Sequence, residues 1–527
     1  MSKTYYITTA IDYTNAPPHI GHAYEKVLAD ALARYGRLFG KKVFLLTGVD
    51  QHGQKVQQSA EKQGLTPEAF VGGVTQKFLD LWKRLDVAYD GWAATVEPAH
   101  KRVVQSMLQQ LFDAGQIYKK ATSGMYSVRQ EQFLSDRDRN EAGEFGPEWG
   151  EVEEREEENY YFRLSDHVEW LRDFLAANPN SVFPESRLSM LKNAVAESIG
   201  QQQDLCISRP KSRLTWGIEL PFDKEFVTYV WFDALTNYIS FAGFRAKELG
   251  NEGLPDFDSL WPCDAHIIGK DILVPAHGIY WLIMLHAIGL PDSQIPKILV
   301  HGWWNVRGEK MSKSLGNVVN PNDIADVVGV DGLRYYLLSD IATGADSDMS
   351  EERVIMRYHN DMANVLGNLL NRTLNMAKKY LGGEIQATDY DDELGVELRA
   401  AVAALPGITV EALKTYQIHK ALAAAWDVLI LANTYIEKTA PFKLAKDPAN
   451  ASRVVAILGN LAETLAHVSV MISPVIPGAA KKIQTQLGWE APAGLTIHDL
   501  KWGMLPVGHR LGEGTPLFPK VELNEGA

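Results

Sequence analysis

Residues 5–50 read YYITTAIDYTNAPPHIGHAYEKVLADALARYGRLFGKKVFLLTGVD. Thr4 to Ile11 is rich in Tyr, Ile and Thr, which suit a pleated, half-buried surface and predict a strand. Pro17-Pro18 then pre-sets a helix start, and Val27, Leu28, Leu32, Tyr35 and Phe39 face one way along a helix from about His19 to Phe39. Lys42 to Thr47 predicts a second strand. Strand, helix and strand in this order make a parallel βαβ unit, the opening of a doubly wound sheet. The same rhythm returns with a strand at Ala265 to Ile268, a helix at Leu273 to Ile288 and a strand at Lys297 to His301. The expected fold is therefore α/β: a Rossmann-type doubly wound parallel sheet, split by an insertion and followed by an α-helical bundle. The uncharged run Ile272 to Leu290 approaches the roughly 20 residues of a membrane span. Pro275, His277, Gly278, His286 and Gly289 within it, and a strand on either side, predict a buried helix instead.

Working outward, the boundaries fall at 1–115 for the first half of the sheet domain, 116–227 for a connective insertion and 228–320 for the second half. A segment at 321–350 leads into a helical domain at 351–490, and 491–527 is a Pro- and Gly-punctuated tail that packs back on the body. The bundle is read from apolar residues at three and four spacing over Val354 to Tyr380, Val410 to Glu437 and Ala451 to Met471.

The chain's 527 residues make room for three or four domains at roughly 100–200 residues each. With 46% apolar and 22% charged residues, it is a globular composition that excludes disorder, collagen and coiled coil. Lys plus Arg number 52 against 66 Asp plus Glu, a net charge of −14 that argues against a uniformly basic coat and leaves only a local basic patch. Most of that acidity is local, since residues 141–158 hold nine Glu and one Arg. Cys206 and Cys263 are too few and too distant for a thiolate zinc knuckle or a disulfide framework, which points to a reducing cytoplasm. Asp12 interrupts the only apolar cluster near the N-terminus, so no export signal is expected.

Two short motifs carry the chemistry. Pro18-His19-Ile20-Gly21-His22 follows the first strand and opens the first helix, where free N–H groups and the helix dipole favour phosphate. Gly21 removes a side chain between the histidines so that a ligand can lie against the backbone. Lys310-Met311-Ser312-Lys313-Ser314 sits in a glycine-flanked loop after the strand ending at His301. Its two lysines are compact point charges suited to closing on a triphosphate.

With these motifs in place the sequence resembles the class I aminoacyl-tRNA synthetases, and within them the methionyl-tRNA synthetases. The resemblance rests on TTAIDYTNAPPHIGHAY at 8–24, LLTGVDQHG at 45–53, Ile207-Ser208-Arg209-Pro210, YVWFDALTNY at 229–238, IIGKDI at 267–272 and GEKMSKSLGN at 308–317. It implies a methionine–tRNA ligase that forms methionyl-adenylate from L-methionine and ATP, releases pyrophosphate and passes the methionyl group to methionine tRNA, initiator and elongator alike. ATP enters as its Mg²⁺ complex. By resemblance His19, His22, Lys310 and Lys313 are catalytic, stabilising the phosphates. Asn15, Gly21, Gly269, Asp271, Met311 and Ser312 border the nucleotide. Ala10, Ile11, Tyr13, Trp231, Ala234 and Leu235, with Tyr238, Ile272, His277 and Trp281, make an apolar, sulfur-tolerant pocket for methionine. Asp50 receives its ammonium and Arg209 its carboxylate. Asn368, Arg372 and Phe442 read the anticodon.

Three departures from the family pattern stand out. His277 follows Asp271 one residue later than in many members. The Cys-x-x-Cys knuckles that many members carry in the insertion are missing, which implies no protein-bound zinc. Phe442 occupies the place of the family's usual tryptophan in the anticodon region. A synthetase for leucine, isoleucine or valine shares both motifs, but about 110 residues of insertion are too few for an editing domain. A catalytically dead RNA-binding relative would have no reason to keep His19, His22, Lys310 and Lys313 together. The resemblance thus implies a cytoplasmic, monomeric enzyme with no membrane association.

Overall fold

The computed structural model describes residues 3–127, 132–134, 136–140, 142–306, 308–311 and 316–521. Its centre is a seven-stranded sheet in which every neighbouring pair runs parallel. β1 (Tyr5–Thr9) steps over Ala10 and Ile11 into the short β2 (Asp12–Tyr13), then α1 (Ile20–Leu38) crosses over to β3 (Val43–Asp50). β4 (Gly91–Ala94) lies outside β3. On the other side of β1 come Ala265–Gly269, Ile298–His301 and Val182–Phe183. α1 forms as the alternation of Ala, Leu and Val predicts. It stops where Gly40, at φ 77°, takes the left-handed conformation that a β-carbon disfavours.

The structure differs from the sequence expectation in three places. Val182–Phe183 lies inside the expected insertion yet pairs with Ile298–Leu299 of the main sheet, so the polypeptide leaves and re-enters the sheet domain within 116–227. Two residues are too few to announce a strand by period. The insertion proper is an antiparallel sheet of Ile117–Ser127, Gln132–Phe133, Val152–Phe162 and Leu205–Cys206, and its Glu-rich strand alternates outward to solvent before its buried end. The expected helix from Val410 to Glu437 is two helices, Glu393–Leu413 and Ile418–Thr439, because Tyr416, at φ 56°, reverses the chain between them. The expected helix from Leu273 to Ile288 begins instead as a π-helical segment, Leu273–Trp281, with Val274 extended at φ −115°, and becomes α only over Leu282–Ala287.

The bundle packs against the face of the sheet that α1 covers. Arg334, on the helix Pro321–Ser339, is fully buried and donates to Asp30 Oδ2 of α1 at 2.6 Å, to Leu85 O at 2.9 Å and to Val475 O at 2.7 Å. One guanidinium thus ties sheet domain, connecting segment and bundle, a use its planar fork of donors suits. The tail is tied to the bundle: the buried Glu463 accepts from the backbone N–H groups of Gly503, Met504 and Leu505 at 2.6–3.0 Å. Among the described residues one helical stretch, Pro448–Ile472, is long and apolar enough to cross a membrane, and its most apolar 18 residues are 94% buried inside the protein.

Candidate active site at the carboxyl ends of the sheet

β1 lies between β3, reached through α1, and Ala265–Gly269, which belongs to the second half of the chain. Connections leave these strands in opposite directions, and such a switch point opens a crevice at the carboxyl ends. Two cavities lie there. One, of about 260 Å³, is lined by His19, Gly21, His22, Gly269, Asp271 and Met311, with Asp12, Glu25, His301 and Trp303 deeper or at the rim. The other, of about 470 Å³, is lined by Asp50, Trp231, Ala234, Leu235, Tyr238 and His277. Both share Ala10, Ile11, Tyr13 and Ile272 as a common wall. A ligand built of a nucleotide joined to a small apolar acid would lie across that wall.

In the first cavity, His19 is the N-cap of α1. Its Nδ1 accepts from Gly21 N–H at 3.1 Å, while its own N–H donates to His22 Nδ1 at 3.1 Å. Each Nδ1 is therefore an acceptor, which leaves Nε2 as the protonated, donating nitrogen of each neutral ring. Two imidazoles, 3.9 Å between centroids and tilted 41° to each other, at a helix N-terminus make an arrangement suited to phosphate oxygens. Gly21 is required for this arrangement: a β-carbon there would stand 2.9 Å from His19 Cε1. The histidines therefore meet through a cap reaching back over the glycine, not as two residues on one helical face. Asp271 accepts from Trp303 Nε1 at 3.2 Å at the rim.

The second cavity is lined mainly by apolar and aromatic side chains, with Lys55 and two polar devices among them. His277 donates Nδ1–H to Ile272 O at 2.9 Å, so its Nε2 accepts from the Tyr238 hydroxyl at 2.7 Å. Burial pushes the His277 pKa down to about 4, and the ring is neutral at pH 7. The wider π turn takes up the additional residue between Asp271 and His277 and keeps the ring on the cavity wall. The second device is Asp50, at the end of β3. Burial, then the neighbouring Asp233 carboxylate, raise its pKa well above the usual range, opposed by the His52 N–H. Among the described residues no Lys or Arg forms an ion pair with it, although Lys55 lines the same cavity, so its carboxylate stands open to a ligand cation.

Not every expected residue reaches these cavities. Trp281 is fully buried beneath the pocket, donating to His266 Nε2 at 3.2 Å and packing on Tyr238. Arg209 lines a neighbouring cavity, with its guanidinium 3.6 Å from the Tyr229 ring centroid; Tyr229 and Trp231 face both spaces. Asn15 lies exposed in the turn after β2 and lines neither cavity. Lys310 lies on the short strand Glu309–Lys310, paired with Asn305, while Ser312 and Lys313 lie outside the described residues.

The family profile described as "tRNA synthetases class I (M)" matches residues 5–142 and 149–374, and that of the "Anticodon binding domain of methionyl tRNA ligase" matches 382–527. The chain belongs to the class I methionyl-tRNA synthetases. It is 40% identical over 526 residues to the methionine–tRNA ligase of Caldanaerobacter subterraneus subsp. tengcongensis, covering 100% of this chain and 80% of that one. With the Deinococcus radiodurans methionine–tRNA ligase it shares 39% identity over 528 residues, 99% of this chain and 75% of the relative. The Mycobacterium tuberculosis methionyl-tRNA synthetase solved bound by methionyl-adenylate superposes with a TM-score of 0.88 at 35% identity, over 98% of this chain and 100% of the other. Membership in this family makes the chain a methionine–tRNA ligase of the α/β fold with a helical anticodon domain.

For a methionyl-tRNA synthetase, the family motifs announce the cavity walls but not the charged layer beneath them. Lys26 of α1 is fully buried and donates to Ala10 O at 2.9 Å, Asp12 Oδ1 at 2.6 Å and Glu25 Oε1 at 2.8 Å, while Glu25 Oε2 faces His301 Nε2 at 3.0 Å. Burial pushes Asp12 up to about 7 despite Lys26. Burial would raise Glu25 as well, but Lys26 and His301 hold it below the usual carboxylate range. The signal available in sequence was the charged pair Glu25-Lys26 inside an otherwise apolar helix. In the bundle, Asn368 and Phe442 are exposed and Arg372 half-buried, one turn from Asn368 on the same helix.

Proposed function

We propose that the two cavities divide one substrate pair: ATP in the space lined by His19, Gly21, His22, Gly269, Asp271 and Met311, and L-methionine in the space lined by Trp231, Ala234, Leu235, Tyr238 and His277. The shared wall of Ala10, Ile11, Tyr13 and Ile272 is the observation that carries this reading, because it lays the methionine carboxylate beside the α-phosphate. A carboxylate oxygen attacks the α-phosphorus, the bond to the bridging oxygen breaks and pyrophosphate leaves. A hydroxyl of the tRNA 3′-terminal ribose then attacks the methionyl carbonyl and AMP departs.

His19 and His22 donate from Nε2 to phosphate oxygens as charge builds on them, and Lys310 and Lys313 supply cations to the departing pyrophosphate. Mg²⁺ would enter with ATP as part of the substrate and would supply positive charge toward the phosphates. Asp50 accepts the ammonium, whose charge restores the carboxylate to its ionised form. Tyr238 and His277 are spent on each other, which keeps the pocket apolar toward a thioether. Arg209, packed on Tyr229, is assigned to holding that wall. Asn368, Arg372 and Phe442 read the anticodon of initiator and elongator methionine tRNA, and the enzyme works in the cytoplasm as a monomer without resident zinc.

Pyrophosphate exchange with a panel of amino acids tests the central reading. Exchange should depend on methionine, with leucine and isoleucine weaker by the 10- to 200-fold or so that an apolar pocket provides. Equal rates with leucine would refute it.

A further inference from the structure

Beneath the methionine cavity one carboxylate has both oxygens occupied. Asp233 Oδ2 lies 2.7 Å from His52 Nδ1 and Oδ1 lies 2.8 Å from His100 Nε2, while His100 Nδ1 lies 2.7 Å from Ser240 Oγ. Asp233 is 1% exposed, His100 0% and His52 5%. Three elements meet there: the turn leaving β3, the helix Pro98–Asp113 and the helix Trp231–Ser240, whose Trp231, Ala234, Leu235 and Tyr238 line the cavity. His52 is the shared part, since its ring holds Asp233 while its backbone N–H is a donor to Asp50.

We propose that Asp233, clamped by His52 and His100, is a positioning residue that fixes the Asp50 carboxylate for the methionine ammonium. The inference rests on the reading of Asp50 given above. Two carboxylates buried side by side repel each other. Two imidazole groups hydrogen-bond both oxygens of Asp233 in place, which leaves Asp50, among the described residues, as the carboxylate without a side-chain partner of its own. Consistent with this, burial would raise the pKa of Asp233, but the two histidines hold it far below the usual range. The same clamp fixes the turn that carries Asp50 against the helix that carries the pocket's apolar wall. Asp50 and the side-chain pocket thus keep one spacing, that between an amino acid's ammonium and its side chain.

The test is Asp233→Asn in the full chain. Methionine KM in pyrophosphate exchange should rise about tenfold or more, with ATP KM and kcat within about threefold. The second readout is binding of methioninol against 4-(methylthio)butan-1-ol, the same skeleton without the amine. The unmodified protein should prefer methioninol; absence of that preference would refute the reading of Asp50, not the clamp. Asp233→Asn should abolish most of the preference while binding the amine-free alcohol as before. Equal weakening of both ligands, or no change in either, would overturn the proposal. Should Asp233→Asn not fold, His100→Gln, which keeps a neutral donor toward Asp233, is measured by the same ratio. A smaller loss in the same direction supports the clamp and an unchanged ratio overturns it.

Discussion

Gly21 shows how a missing side chain can be the catalytic requirement. The ring of His19 folds back over it so that Nδ1 caps the helix, and a β-carbon would meet His19 Cε1 at 2.9 Å. Gly21→Ala should displace that ring, lose one phosphate donor and lower pyrophosphate exchange by about 10- to 1,000-fold, the range for one preorganised donor. Methionine binding should be nearly unchanged, because the other cavity is untouched. Normal exchange in this variant would remove His19 from the phosphate site. The buried His277 of the second cavity and His266, packed against Tyr238 behind it, bear on stability instead. His277 is depressed from 6.5 to about 4 by burial, and burial together with its neighbour His277 holds His266 well below the usual range. Between pH 6.5 and 4 the unfolded chain takes up protons that the folded chain refuses. Stability is therefore intact above pH 6.5 and falls as pH drops, by at most about 1.4 kcal/mol per pH unit for each ring. Thermal melts from pH 7.5 to 4.5 should show this fall, and His277→Gln should make it shallower. An identical slope in the variant would show that His277 is not among the groups responsible. Most of the cavity wall was legible only through the family resemblance, because Trp231, Ala234, Leu235 and Tyr238 all fall inside the motif YVWFDALTNY at 229–238. Arg209 and Trp281 were not, because a motif fixes a position in the chain but not which side of a ring such as Tyr229 a side chain takes.

The elements that follow the period of their apolar residues were readable, and those set by a single backbone angle were not. α1 was bounded to within a residue by Pro17-Pro18 and by its apolar face, which ends at Phe39. The break at Tyr416 was hidden because apolar residues continue on both sides of it, and the π segment was hidden because period describes faces and not hydrogen-bond spacing. The tail is a different case: it carries no period, yet it is held at one point. Glu463, within the apolar helix Ala451–Ile472, accepts three backbone N–H groups from Gly503 to Leu505 and is 4% exposed. Hydrogen bonds to a charged acceptor contribute about 1.5–3 kcal/mol each before non-additivity. Glu463→Ala should thus destabilise the bundle by about 3 kcal/mol or more and expose residues 500–521 to proteolysis before the rest of the chain. Limited digestion followed by mass spectrometry reads this directly. A tail as resistant as in the unmodified protein would show that Leu505 and Leu517, both buried, hold it without the carboxylate.

At the scale of the molecule, the two cavities and the helical anticodon domain lie in different bodies tied together by Arg334. A 527-residue chain with net charge −14 must choose one tRNA through local contacts. The helix Asn368–Leu381 opens with Asn368 exposed and Arg372 one turn on, so an amide able to pair with a base edge stands on the same face as a guanidinium able to stack or hold phosphate. Phe442, 42% exposed just after the left-handed Ala440, offers an aromatic face that the core does not use. Stacking a splayed base on such a ring is worth about 1–3 kcal/mol. Arg372→Ala and Asn368→Ala should therefore lower aminoacylation of methionine tRNA by about tenfold or more while pyrophosphate exchange stays within about twofold, because neither residue lies near the two cavities. Phe442→Ala should act in the same direction more weakly, and Phe442→Trp, which enlarges the ring, should be tolerated. Measuring exchange and charging on the same preparations separates the two bodies. If Arg372→Ala charges tRNA as well as the unmodified protein does, the anticodon is read on another face of the bundle.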